Sequence, residues 1–157
     1  MKKTLLLIIV AIAAIACQNQ ASAQVSVSVN ISSQPVWGPT GYDYARYYYF
    51  PGIDAYYSIP NKTFVYLQGG KWVFGASLPV SFNFDLYSGY KVVVNDAKPY
   101  LHPDVYRAKY AQYKGQHPQQ EVIRDSKDTK YAVVPGHPLY KKAPAEAPKR
   151  DDPHGRH

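Results

Sequence analysis

Five histidines, eleven carboxylates and one cysteine are the side chains of this 157-residue chain suited to acid–base, metal or nucleophilic chemistry. His102, His117 and His137 each precede a proline, and no histidine pairs with a second ligand at i, i+4 on a helix. There is no His-Glu-x-x-His, no phosphate-cradling glycine loop and no Gly-x-Ser-x-Gly elbow. The terminal Asp151-Asp152-Pro153-His154-Gly155-Arg156-His157 offers oxygen and imidazole ligands to a divalent ion, but a solvated terminus is the plainer reading. Asp43, Asp54, Asp85, Asp96 and Asp104 sit among Gly, Asn, Pro and Ser, where Asp bonds local backbone in turns. Nothing singles out two of them as an acid and a base. The expectation is no enzyme, no cofactor and no metal.

Cys17 belongs to a segment with its own logic. Lys2 and Lys3, an apolar run over 5–16, and Ala21-Ser22-Ala23 make a secretory signal over 1–23. The apolar run is too short for a bilayer, which needs about 20 residues, so the mature chain is expected to hold no transmembrane span. Cleavage after Ala23 leaves no cysteine and hence no disulfide. The alternative is a cut before Cys17 that leaves a lipid-bearing cysteine. The expected location is the periplasm or the extracellular space.

The formal net charge is +7, but it is not a stripe. Residues 24–113 carry seven Lys or Arg against five Asp or Glu, and 114–157 carry nine against six. Mixed signs of this kind argue against nucleic acid as a partner. The basic excess suits anionic envelope polymers instead.

The elements that would position any site centre on residues 44–78. Tyr47-Tyr48-Tyr49-Phe50, Ala55-Tyr56-Tyr57-Ser58, Thr63-Phe64-Val65-Tyr66-Leu67 and Lys71-Trp72-Val73-Phe74 are four aromatic and β-branched runs bounded by Pro, Gly or Asn. A helix would have to survive Pro51 and Pro60 at about 3 kcal/mol each. Phe50-Pro51-Gly52-Ile53 suits a type II turn, and Gly69-Gly70 a primed two-residue hairpin loop. Links this short pair consecutive strands antiparallel. Aromatics fall on both parities, so either both faces are covered or one carries an exposed tyrosine surface.

Pairing across Gly69-Gly70 puts Leu67 opposite Trp72 and Val65 opposite Phe74 on one face, with Phe64, Tyr66 and Val73 on the other. The first set is wholly apolar and is expected to face the core. Tyr66, which bears a hydroxyl, is expected to face solvent. Whichever of Tyr47, Tyr49, Tyr56 and Tyr57 share its face would join it. Trp37, in a loop with two Pro and two Gly, reads as a ring capping the open end of the sheet, with ligand stacking as the alternative.

Upstream, Val25, Val27, Val29 and Ile31 alternate with polar residues as a first strand does. Downstream, Phe82 to Leu86 alternates again and Tyr90 to Val94 reads as a strand. Pro103, Asp104 and Gly115 punctuate a helix over about 103–114, whose Tyr106, Tyr110 and Tyr113 form one stripe for packing on the sheet. From 116 onward aromatics thin out and Pro, Lys, Asp, Glu and Gln take over. Such a stretch buries too little to offset about 1–2 kcal/mol per residue of backbone ordering. The expected fold is mainly β: a small antiparallel meander with one short C-terminal helix packed on it, over 24–115. A polar, Pro-rich, largely disordered tail over 116–157 follows, in which Tyr131 to Val134 offers at most a short strand.

Tyr47-Tyr48-Tyr49-Phe50-Pro51, Ala55-Tyr56-Tyr57, Phe64-Val65-Tyr66, Gly69-Gly70-Lys71-Trp72-Val73, Ser77-Leu78-Pro79 and Lys98-Pro99-Tyr100 together resemble a pattern of short secreted bacterial proteins. The resemblance covers about residues 34–113. It implies an envelope location and a β-rich fold, and brings no activity, cofactor or catalytic residue with it.

The function expected is that of a non-enzymatic secreted or periplasmic protein binding another envelope macromolecule through an aromatic β-surface. Tyr66, Tyr47, Tyr49, Tyr56, Tyr57 and Trp37 are its candidate residues. The partner would be an envelope protein. A cell-wall glycan is the alternative, and a hydrolase the third reading.

Overall fold

A computed structural model describes residues 29–115 and 119–140 of the chain. The signal over 1–23, Val25 and Val27 of the expected first strand, and the last 17 residues lie outside the described ones. Five antiparallel strands form one sheet: β1 (Tyr47–Phe50), β2 (Ala55–Ser58), β3 (Thr63–Gln68), β4 (Lys71–Gly75) and β5 (Val92–Val94). Their order across the sheet is β4-β3-β2-β1-β5. Four strands make the expected meander. The fifth then returns across the sheet to pair with β1, Tyr47 opposite Val94 and Tyr49 opposite Val92, so the topology is partly that of a Greek key.

The hairpin at Gly69 and Gly70 has the expected form, with φ of 58° and 75° and Gln68 opposite Lys71. The other two turns differ in detail. Asp54 (φ 49°), rather than Gly52, and Lys62 (φ 51°) occupy the left-handed positions. Asp tolerates this region because its short side chain finds local partners. Here the Asp54 carboxylate accepts a bond from the Tyr49 hydroxyl at 2.8 Å.

Both faces of the sheet are covered. On the first, Tyr48, Phe50, Tyr57, Phe64 and Tyr66 pack under Trp37 and under Leu78, Phe82, Phe84 and Leu86 of the returning connection. Trp37 stands 4.8 Å from Tyr57 and 5.7 Å from Tyr48, ring centre to ring centre, as a cap on the sheet. On the second face, Tyr47, Tyr49, Tyr56 and Val65 pack against Tyr106 of helix α1 (Pro103–Lys109). The helix covers the sheet as expected but is shorter. After Tyr110 the chain tightens into a 3₁₀ turn, Ala111–Tyr113, and the tyrosine stripe splits. Tyr110 stays near Tyr49, while Tyr113 leaves the sheet to stack on Tyr90 at 4.4 Å.

Three expected elements differ. Ile31–Ser33 is a 3₁₀ turn where alternation suggested strand, and Phe82 to Leu86, which alternates likewise, forms no strand but follows the 3₁₀ turn Val80–Phe82. The expected tail is ordered over 119–140. Ile123, Tyr131 and Val134 are fully buried against Ile31 and Val36 in a cluster of their own. Backbone bonds from Ile123 to Gly38 and from Arg124 to Val36, both 2.8 Å, stitch this segment to the Trp37 loop. Few apolar side chains suffice because they fill a site opened about 90 positions earlier. No helix among the described residues is long and apolar enough to cross a membrane.

Candidate functional site

The tyrosines expected to make a surface are inside the molecule. Tyr66 is 7 % exposed and packs edge-on against Phe82 at 5.6 Å, so its solvent-facing placement is corrected. Tyr47, Tyr49, Tyr56 and Tyr57 are buried too, split between the two faces. Trp37 is half-buried among four rings. A hydroxyl does not oblige a tyrosine to meet water when the fold brings it a partner. The Tyr48 hydroxyl donates to Gln34 Oε1 at 2.7 Å, and that of Tyr47 to the Ala97 carbonyl at 3.2 Å. Tyr106 donates to the Asp96 carboxylate. Burial, and then the neighbouring carboxylate, raises the pKa of both Tyr49 and Tyr106, which stay neutral.

The expected core set is corrected in the same way. Val65 is buried, but Trp72 is only half-buried and Phe74 is 56 % exposed. They lie on β4, at the rim, where helix α1 no longer reaches. Tyr100, from the 3₁₀ turn Pro99–Leu101, stands 6.0 Å from Trp72 and 5.4 Å from Phe74. Leu101 beside it is exposed. Lys71 and Lys98 are exposed in the same two segments. The result is an aromatic patch on the outermost strand.

The two edges of the sheet are unlike. Beside β5, the Gln120 side chain accepts from Lys91 N–H at 3.1 Å and donates to Lys91 C=O at 2.9 Å, pairing the residue that leads into that strand. At β4, the ladder with β3 alternates outward from the Gln68–Lys71 pair, so the N–H and C=O of Trp72 and Phe74 point away from the sheet. Among the described residues, no other backbone bond reaches β4. The patch and the free edge coincide.

The ionisable groups lend themselves less to chemistry. Lys91 is 1 % exposed, and its ammonium donates to the Leu86 and Gly89 carbonyls, each at 2.6 Å. Burial lowers its pKa to about 8, but no substrate reaches it. His137 is buried in the segment 119–140. Its Nδ1 accepts from Leu139 N–H at 3.0 Å and its Nε2 donates to the Ser126 carbonyl at 3.1 Å, a wholly structural pattern. Asp54 is held by Tyr49 and by Arg107, whose Nε lies 3.3 Å away. Asp85 accepts from Tyr87 N–H and from Ser88 in a local turn, which lowers its pKa. Among the described residues no three His, Cys, Asp or Glu side chains converge as a metal would require.

The signal that locates the patch is present in the sequence but indirect. A fourth strand followed by 16 residues without a close partner strand is an edge, and its alternate residues are rim residues. Comparison with family models, with curated proteins and with solved structures gives no match to this chain.

Proposed function

We propose that the protein is a non-enzymatic binding module of the cell envelope that takes an extended segment of another envelope protein onto the free edge of β4. The observation that carries this reading is the difference between the two edges. Native sheets close, shorten or charge their edges because an open one templates pairing. Here a glutamine covers the entry to β5, whereas the β4 edge is open along its length and aromatic. A strand added to β4 would take its main-chain bonds from Trp72 and Phe74 and lay alternate side chains over Tyr100 and Leu101. Lys71 and Lys98 favour a segment with acidic residues flanking its apolar ones.

The test replaces Phe74 in two ways. Phe74→Ala removes the ring. Phe74→Pro also removes one outward N–H and leaves the β3 ladder intact, since proline is tolerated at edge positions whose N–H faces solvent. A photoreactive residue at position 74 is expected to crosslink one envelope protein in cells, and a peptide of the crosslinked segment to bind the purified chain. Phe74→Pro should abolish that binding, and Phe74→Ala should weaken it. A peptide that binds both variants unchanged, or a chain retained on purified cell wall with no protein crosslinked, would defeat the reading.

A further inference from the structure

Beyond the β1–β2 turn, on the opposite face from Phe74, the returning connection leaves a cleft of about 210 Å³. Phe82, Phe84, Tyr90 and Tyr113 wall it, Asn83 stands at its rim, and among the described residues no charged side chain lines it. A wider trough of about 370 Å³ continues past Asn83, Phe84 and Asp85 along Pro79 and Val80. Val80 is 96 % exposed, an apolar side chain left uncovered at the trough's edge.

The walls are fixed before any ligand arrives. Phe82 rests on the buried Tyr66, and Phe84 stands edge-on to Phe50 at 5.2 Å. The Phe84 ring lies so close over Gly89 that a Cβ there would approach within 2.1 Å. Only glycine permits this ring position. Tyr90 and Tyr113 brace each other, and burial followed by the Tyr113 hydroxyl pushes the Tyr90 pKa up to about 12, so Tyr90 stays neutral. Asn83 holds a left-handed backbone (φ 42°, ψ 49°) with its side chain exposed.

We propose that this cleft binds a neutral sugar residue, with the trough taking the next residue of an oligosaccharide. An aromatic face is negative and attracts the slightly positive C–H hydrogens on the flat side of a sugar ring. The tyrosine hydroxyls and the Asn83 amide supply hydrogen bonds at the rim, as a hydroxyl-rich ligand needs. The cleft offers no cation to an anionic ligand and the trough carries only the carboxylate of Asp85, so acidic sugars, nucleotides and amino acids would lose hydration without compensation. The volume admits a single ring, well below the ~300–1,000 Å³ of clefts for drug-sized ligands. Clefts with rigid aromatic walls avoid the ordering cost that flexible ones incur on binding. This site is separate from the β4 edge, and neither proposal depends on the other.

The test is titration of the full chain with neutral oligomers of N-acetylglucosamine and of glucose, with polygalacturonate as the acidic control, read by calorimetry and by NMR. Saturable binding of a neutral oligomer is expected, with shifts at the Asn83 side-chain amide and the Tyr113 ring. Tyr113→Ala should weaken it about tenfold or more, the equivalent of one good contact. Asn83→Gly keeps the left-handed backbone while deleting the amide, so it should keep the fold and still lose affinity. No binding of any neutral oligomer, tighter binding of polygalacturonate, or unchanged affinity in Asn83→Gly and Tyr113→Ala would overturn the proposal.

Discussion

Gln120 behaves towards Lys91 as a neighbouring strand would, accepting its N–H and donating to its carbonyl through one side-chain amide. The bond pair spans 29 positions and ties the ordered 119–140 segment to the sheet. Gln120→Ala should therefore unpair Lys91 at the entry to β5. We expect a loss of about 1–3 kcal/mol from two part-buried backbone groups left without partners. Amide exchange at Lys91 should accelerate while exchange in β2 and β3 is unchanged. Unaltered protection at Lys91 would show that the glutamine contributes nothing to its pairing.

Lys91 itself predicts an unusual dependence of stability on pH. Its pKa falls from 10.5 to about 8 in the folded state because burial penalises the ammonium. Below about 8 both states hold the proton, and the penalty is present in full. Between there and 10.5 only the unfolded chain holds it, so stability rises with pH, by at most about 1.4 kcal/mol per unit. The tyrosines act in reverse. Tyr49, Tyr56 and Tyr106 are raised above 10.0, so the unfolded chain loses protons that the fold keeps, and stability falls in more alkaline solution. Urea unfolding should give a maximum between about pH 8 and 10. Lys91→Met should lack the rise but retain the alkaline fall. A wild-type curve flat from pH 7 to 10 would contradict the burial of this ammonium.

Burial ranks the aromatic truncations differently from the expected faces. Tyr66→Ala removes a ring packed between the sheet and Phe82, and should cost about 3–5 kcal/mol. Phe74→Ala, more than half exposed, should cost under about 1 kcal/mol. Trp72→Ala should fall between the two. Denaturant midpoints measure the order directly, and a Phe74→Ala loss equal to that of Tyr66→Ala would mean that the β4 rim is covered.

The 119–140 segment makes a prediction about length. A chain ending at residue 115 should be markedly less stable than one ending at 140. The shorter chain loses the buried Ile123, Tyr131 and Val134, and leaves Ile31 and Val36 uncovered. It also loses the Tyr131 hydroxyl that accepts from Gly41 N–H at 2.7 Å. Equal thermal midpoints for the 115 and 140 chains would restore the earlier domain boundary.

Much of the sheet could be read from local signals, because each early strand is bounded by its own turn. Gly69 and Gly70 specified both the hairpin and its register, and Pro103 with Asp104 specified a helix start. The misreadings share a cause in long-range partners. The hydroxyl of Tyr66 favours a place towards water, but Phe82, 16 positions on, lies over it. Phe74 belongs to a wholly apolar set that suits the core, yet the helix that buries Val65 stops short of β4. Ile123, Tyr131 and Val134 show no periodicity because they fill a niche in a distant loop rather than one face of an element. The sugar cleft has no local signature either. Its rings come from separate stretches that meet only when β5 returns to β1.

That return also sets an order of assembly. β1 sits inside the sheet, yet one of its neighbours, β5, is made some 40 residues after it. As the chain emerges from its N-terminal side, the hairpins of β1 to β4 can close at once, each across a short loop. The outer flank of β1 then stays unpaired until Val92–Val94 arrive, and the loop holding Trp37 is not clasped until residues 123–134 follow. The 119–140 segment thus acts as a latch. A chain interrupted before it would hold all five strands but leave Lys91 unpaired beside β5 and the Trp37 loop unclasped.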